Sequence, residues 1–187
     1  QALSTTQMGA LSVNALAGLT QTQVSVLEVG DIAVLSTTGL ASLSTSAVAG
    51  LNQDQIGGLE TTQLAAFTAT QIASISTTGM AALSGGRLTA LSTTQLAALT
   101  ATQIGALAAS DVSGLSTTQL RSLSTSGIGG LEAEDIAGLS TTQVQSLLSA
   151  QVAAFSTTAV RNLTVAEVGA LTSTQFASLT AAQIGAL

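Results

Sequence analysis

The sequence predicts an all-α solenoid with one short, capped helix per eight residues, running as a single continuous array over residues 1–187. Three observations predict it. A large apolar residue recurs at every eighth place with no slip in phase, and a second apolar residue always follows five places later. Between them, Ser or Thr commonly stands three places before Gln, Asp or Glu.

The first element is the apolar frame. Position one of the octad is Leu3, Leu11, Leu19 and onward to Leu187, interrupted only by Phe67, Ile75 and Phe155. Position six runs from Met8, Leu16 and Val24 to Phe176 and Ile184. The consensus reads L-S-T-T-Q-[LIV]-A-[AG].

The helix start comes next. Ser or Thr at position two and Gln, Asp or Glu at position five form the capping-box pattern. The hydroxyl accepts from the amide of the third helical residue, and that residue's side chain returns to the cap's own amide. Position two is then the N-cap and position five is N3. Positions one and six become N′ and N4, the two sites of a hydrophobic staple. Position five is Gln, Asp or Glu in 16 of 23 octads, enough to mark a preference. The helix so started runs from position three to about the next position one, where the next cap begins.

Position eight is never larger than Val or Asn, whereas position seven admits Arg121, Gln145 and Arg161. Position eight is therefore expected to face a close neighbour, and position seven to border solvent. Helices this short do not stand alone, because nucleation is costly. Stability has to come from stacking, as in any solenoid.

Two rival architectures are weaker. One continuous helix needs an apolar stripe near a period of 3.6, but here the gaps alternate five and three. A β-solenoid gains from Thr-rich triplets and from Val and Ile at position six. Positions one and six have opposite parity, however, so one flat strand cannot bury both on one face. A bend inside the octad would be needed.

A coarser layer overlies the octad. STTG recurs at 36–39 and 76–79, Arg121 is matched by Arg161, and Asp31 returns 80 residues later as Asp111. A five-octad superperiod and simple duplication within a small alphabet explain this equally well.

Composition narrows the function. The chain is 46% hydrophobic and only 6% charged, the reverse of a disordered chain. The net charge of −6 has the wrong sign for nucleic acid and for an anionic membrane surface. No window is apolar enough for a membrane span, since a polar tetrad such as STTQ keeps returning. Gln1 already lies inside the repeat, as expected of a segment of a longer chain or polymer.

Chemistry is sparse. His and Cys are absent, which removes the commonest general base, the strong nucleophile and the main transition-metal ligands. The acidic residues Glu28, Asp31, Asp54, Glu60, Asp111, Asp135 and Glu167 fall mostly at capping positions, where they complement the helix dipole. Glu132-Ala133-Glu134-Asp135 invites a calcium reading but lacks the Gly-rich calcium-loop patterns. Arg87, Arg121 and Arg161 read as surface residues, and Ser84-Gly85-Gly86 as a local bend. The expectation is no enzyme: no catalytic, cofactor-binding or metal-ligating residues, and no cofactor. Thr arrays such as Thr68-Ala69-Thr70 would suit an ice-binding face only if the fold were β.

The run Leu91-Ser92-Thr93-Thr94-Gln95-Leu96-Ala97-Ala98-Leu99 resembles octapeptide arrays of giant bacterial secreted and cell-surface proteins. The resemblance is one of repeat style over the whole chain. It implies an extracellular or cell-surface role as a rod, stalk, sheath, fibre or adhesin, and it transfers no site residue. The expected partners are neighbouring repeats, further copies of the chain, and a surface or matrix contact; nucleic acid and membrane insertion are not expected. Neither end departs from the repeat, which points to continuation of the chain or to end-to-end association.

Overall fold

The computed structural model describes residues 4–84 and 86–187; Leu3 and Gly85 lie outside them. The chain forms two compact units, Gln1–Leu83 and Ser84–Leu187. Among the described residues the first holds ten α-helices, from Thr5–Gly9 to Thr77–Met80. Among its described residues the second has the 3-10 turn Leu88–Ala90, followed by twelve α-helices, from Thr93–Ala97 to Ala181–Ile184. No strand occurs among the described residues, so the β-solenoid is excluded.

Each α-helix occupies four to six residues beginning at position three of its octad, as the capping pattern predicts. The helix Ala69–Ser74 is representative. Thr68, in extended geometry, accepts from the Gln71 amide at 3.2 Å, and the Thr68 amide donates to Gln71 Oε1 at 2.7 Å. The full reciprocal box forms with Ser, Thr or Asn caps in eleven helices. Where the cap is Glu28, Glu60, Glu132 or Leu148, only the return half remains, from the cap amide to the position-five side chain.

Termination is equally local. The Ile75 amide donates to the Ile72 carbonyl at 3.2 Å, a tightened last turn. Ile75 itself is extended, with φ −60° and ψ 132°, so position one leads the chain straight to the next cap. One Leu thus ends one helix and precedes the next.

Positions one and six form the interior. Leu51 and Ile56, Leu59 and Leu64, and Leu91 and Leu96 are all essentially inaccessible. Within each unit, helices 24 residues apart pack together. Val13–Ala17 lies on Thr37–Ser42 and Thr45–Ala49 on Ala69–Ser74; in the second unit Thr117–Ser122 touches both Thr93–Ala97 and Thr141–Ser146.

One octad departs from the pattern. At Ser84–Leu91 the helix shrinks to the 3-10 turn, and the residue before that turn, Arg87, makes no side-chain cap bond. Gly86 adopts φ 89°, a left-handed geometry suited to glycine. Thr89 Oγ1 donates to the Gly86 carbonyl at 2.6 Å. Leu88 still fills position six and is fully buried, so the apolar frame survives the loss of the cap.

Candidate interaction surface

The most built feature of the molecule is the glutamine at position five. Its Oε1 is committed to the capping box of its own helix. Its Nε2 reaches across the coil to carbonyls 28 to 31 residues earlier. Gln55 Nε2 donates to the carbonyls of Val24 at 2.9 Å and Leu27 at 2.7 Å. Gln71 reaches Leu40 and Leu43. In the second unit Gln143 reaches Ser113 and Leu115, and Gln151 reaches Leu120, Arg121 and Leu123. Gln175 and Gln183 repeat the pattern on Val144 and Leu147 and on Val152 and Phe155.

These acceptors lie at the end of the helix four octads before: position-one carbonyls such as Leu27 and Leu43, and position-six carbonyls such as Val24 and Leu40, which also accept the amide of the last tightened turn. One primary amide therefore closes the start of one helix and the end of another. Since Cα packing joins octads three apart and the amide joins octads four apart, a turn of the coil falls between three octads and four within each unit. No buried side-chain nitrogen or oxygen among the described residues lacks a partner.

Some octads use a different solution. Gly39, Gly79 and Gly127 stand at position five and are buried. A β-carbon at Gly39 would come within 2.8 Å of Leu16 Cδ1, and one at Gly79 within 3.5 Å of Ile56 Cγ1. Both neighbours are position-six residues three octads before. At these octads the turns close onto a glycine in place of a spanning side chain.

Position eight rests on position three of the octad three before, which explains its small size. A β-carbon at Gly50 would lie 2.5 Å from the Gln21 carbonyl oxygen. One at Gly130 would lie 2.6 Å from Ala101 Cα. Ser42 and Ser178 instead donate to the carbonyls of Val13 at 3.3 Å and Ser149 at 2.9 Å. Position seven is largely exposed, including Arg121, Gln145 and Arg161.

The acidic residues all stand at N-caps or in first helical turns. Glu28, Glu60 and Glu132 are caps, Asp54 and Glu134 are N2, and Asp31, Asp111, Asp135 and Glu167 are N3. Asp135 is 3% exposed and accepts from the Glu132 amide at 2.8 Å. Burial holds its carboxyl above the usual range; the Glu132 amide opposes this, while the Glu132 and Glu134 charges add to it. Glu132 and Glu134 line a shallow groove of about 500 Å³ with Gly129, Gly130 and Ser156. Among the described residues no three His, Cys, Asp or Glu are placed to hold one metal ion. The Thr68 and Thr172 hydroxyls accept the Gln71 and Gln175 amides in their own helix caps.

The first and last octads differ from the middle. Gln7 and Gln23 form their boxes but are exposed, and their Nε2 atoms donate to nothing among the described residues. In the last octads Phe176 and Ile184 are 44% and 42% exposed and Val168 is half-buried, although position six is buried in the earlier octads. Val165 is 93% exposed. An apolar groove of about 180 Å³ lies among Val160, Leu163, Val165, Val168 and Leu187, with Arg161 at its edge.

No helix of the described residues is long and apolar enough to cross a membrane. Two segments, 24–61 and 128–165, match the family model of the ALTTAQ repeat. Their starts are 104 residues apart, thirteen octads, so both matches stand in the same phase of the repeat. No curated protein matches the chain.

Proposed function

We propose that this repeat array is a non-catalytic structural element of an extracellular or cell-surface assembly, a stalk, sheath or fibre in which octads act as stacking units. One observation carries the reading: the side chains fixed by the repeat are spent on neighbouring octads. Positions one and six fill the interior, position five binds carbonyls of another turn, and position eight seats against backbone. What remains outward is mainly first-turn Thr and small residues at position seven. Such a surface suits a spacer better than a receptor.

The ALTTAQ matches support a repeat protein of this kind. The extracellular placement rests on the resemblance of the octad to bacterial surface arrays. Immunogold labelling of intact and permeabilised producing cells tests it: label on intact cells is expected, and label only after permeabilisation contradicts it. An adhesive or ice-binding module is the competing reading. Thermal hysteresis or selective glycan-array binding by the isolated chain would favour that reading, and neither is expected.

A further inference from the structure

Position five holds a single glutamate, Glu167, and its side chain is 3% exposed. Its Oε2 accepts from the Thr164 amide at 2.6 Å, and its own amide donates to Thr164 Oγ1 at 3.2 Å. The capping box of Val165–Ala170 is therefore complete. Gln151, Gln175 and Gln183 build the same half-box with Oε1. Each then spends Nε2 on carbonyls 28 and 31 residues earlier. The same register assigns the carbonyls of Leu139 and Ile136, at the end of helix Ala133–Ala137, to Glu167. The Leu139 carbonyl and Glu167 Oε1 accept from nothing among the described residues. Glu167 Oε1 is not sealed from solvent, since every sealed side-chain oxygen among those residues has a partner. An ionised carboxyl only accepts, whereas a protonated one also donates. Glutamate thus has the length of the spanning glutamine without its donor.

We propose that Glu167 is a pH-sensitive clasp on the end of helix Ala133–Ala137. In acid, Oε1 takes a proton from solvent and bonds the Leu139 carbonyl as a glutamine Nε2 would; at neutral pH the proton returns to solvent and that bond between turns is lost. The surroundings leave the proton as the donor. Val165–Ala170 packs on Thr141–Ser146, which holds no ionisable side chain. The octad that supplies the carbonyls brings Glu132, Glu134 and Asp135, all acidic, and Arg161 is exposed. At the start of the same helix, burial holds the Asp135 carboxyl above its ordinary range, so acid favours that end too. The clasp is independent of where the array is placed in or on the cell.

Amide hydrogen exchange, followed residue by residue by NMR and expressed as protection relative to the unfolded chain, tests this. The reporters are Gly138 and Leu139, whose amides close the last turn of Ala133–Ala137. From neutral pH to about pH 4, their wild-type protection is expected to rise about two- to tenfold, the size of one hydrogen bond. Leu123 and Leu147, at helix ends already served by Gln151 and Gln175, are expected to stay level. Glu167→Gln restores the donor, so Gly138 and Leu139 are expected to be as protected at neutral pH as the wild type is in acid. Asp135→Asn, which leaves the clasp in place, is expected to keep the rise at Leu139. A rise that persists in Glu167→Gln overturns the clasp, as does neutral-pH protection no higher in that variant than in the wild type. Wild-type protection raised by sodium, potassium or calcium chloride but not by acid overturns it too, because a cation would then fill the gap.

Discussion

Glutamine at position five carries an acceptor and two donors on one flat amide, and the coil uses both sides. Glutamate would serve the capping box equally well, but its carboxylate cannot donate to a carbonyl. Gln151→Glu, which faces the carbonyls of Leu120, Arg121 and Leu123, is expected to cost about 1–3 kcal/mol in urea unfolding at neutral pH. Part of that loss should return on acidification, because a protonated carboxyl regains a donor. Loss that does not depend on pH would mean that packing, not donation, was disturbed. Asp135 offers the complementary test. Its folded carboxyl sits above the ordinary 3.8, so the folded state favours the proton. The contribution of Asp135 to stability is fullest below 3.8 and is lost as pH rises beyond that value. Asp135→Asn should flatten this part of the pH profile, and an unchanged profile would remove Asp135 as its source. The sequence contained a signal for the second bond: position five is Gln twelve times and Glu once. A capping box alone does not require that bias, and its cause becomes visible only once the register between turns is known.

At the scale of the octad, local signals fixed the helix starts because caps and staples act within six residues. Ser92 with Gln95 and Thr100 with Gln103 are boxed as their spacing predicts. The octad at Ser84 is harder to read: its Ser and apolar residues fit the pattern, but with Gly86 in left-handed geometry the helix gives way to a 3-10 turn. Ala108 caps its helix without a side-chain bond. Ala108→Ser is expected to stabilise the chain by about 0.5–2 kcal/mol; no gain in the unfolding midpoint would mean that the geometry there does not accept a cap. Glycines separate the two faces of the octad. A methyl group added at Gly169, in position seven, would meet nothing within 4 Å, whereas one at Gly130 would meet the backbone of Ala101. Gly169→Ala should be stabilising by up to about 1 kcal/mol from helix propensity. Gly130→Ala should destabilise by about 1–3 kcal/mol from overpacking. Equal effects in thermal melts would contradict the assignment of position eight to the close contact.

Over the whole chain, the octad is a repeating unit of interaction more than a unit of stability. A helix of four to six residues is well below the length that survives alone in water. The alternation of Leu and branched residues fixed the apolar frame, and the size limit at position eight revealed a close neighbour. The sequence could not say which neighbour, because equal spacing is compatible with any number of octads per turn. The glutamine bonds at 28 to 31 residues and the helix contacts at 24 supply that missing register within each unit. They also relate two of the solutions at position five, a spanning amide as at Gln143 and a buried glycine as at Gly79. Every part of this account requires that the octads be helical. Far-UV circular dichroism of the 187-residue chain, followed through thermal unfolding, measures that most directly. Paired helical minima that vanish on heating are predicted, and a single strand-type minimum would contradict the account.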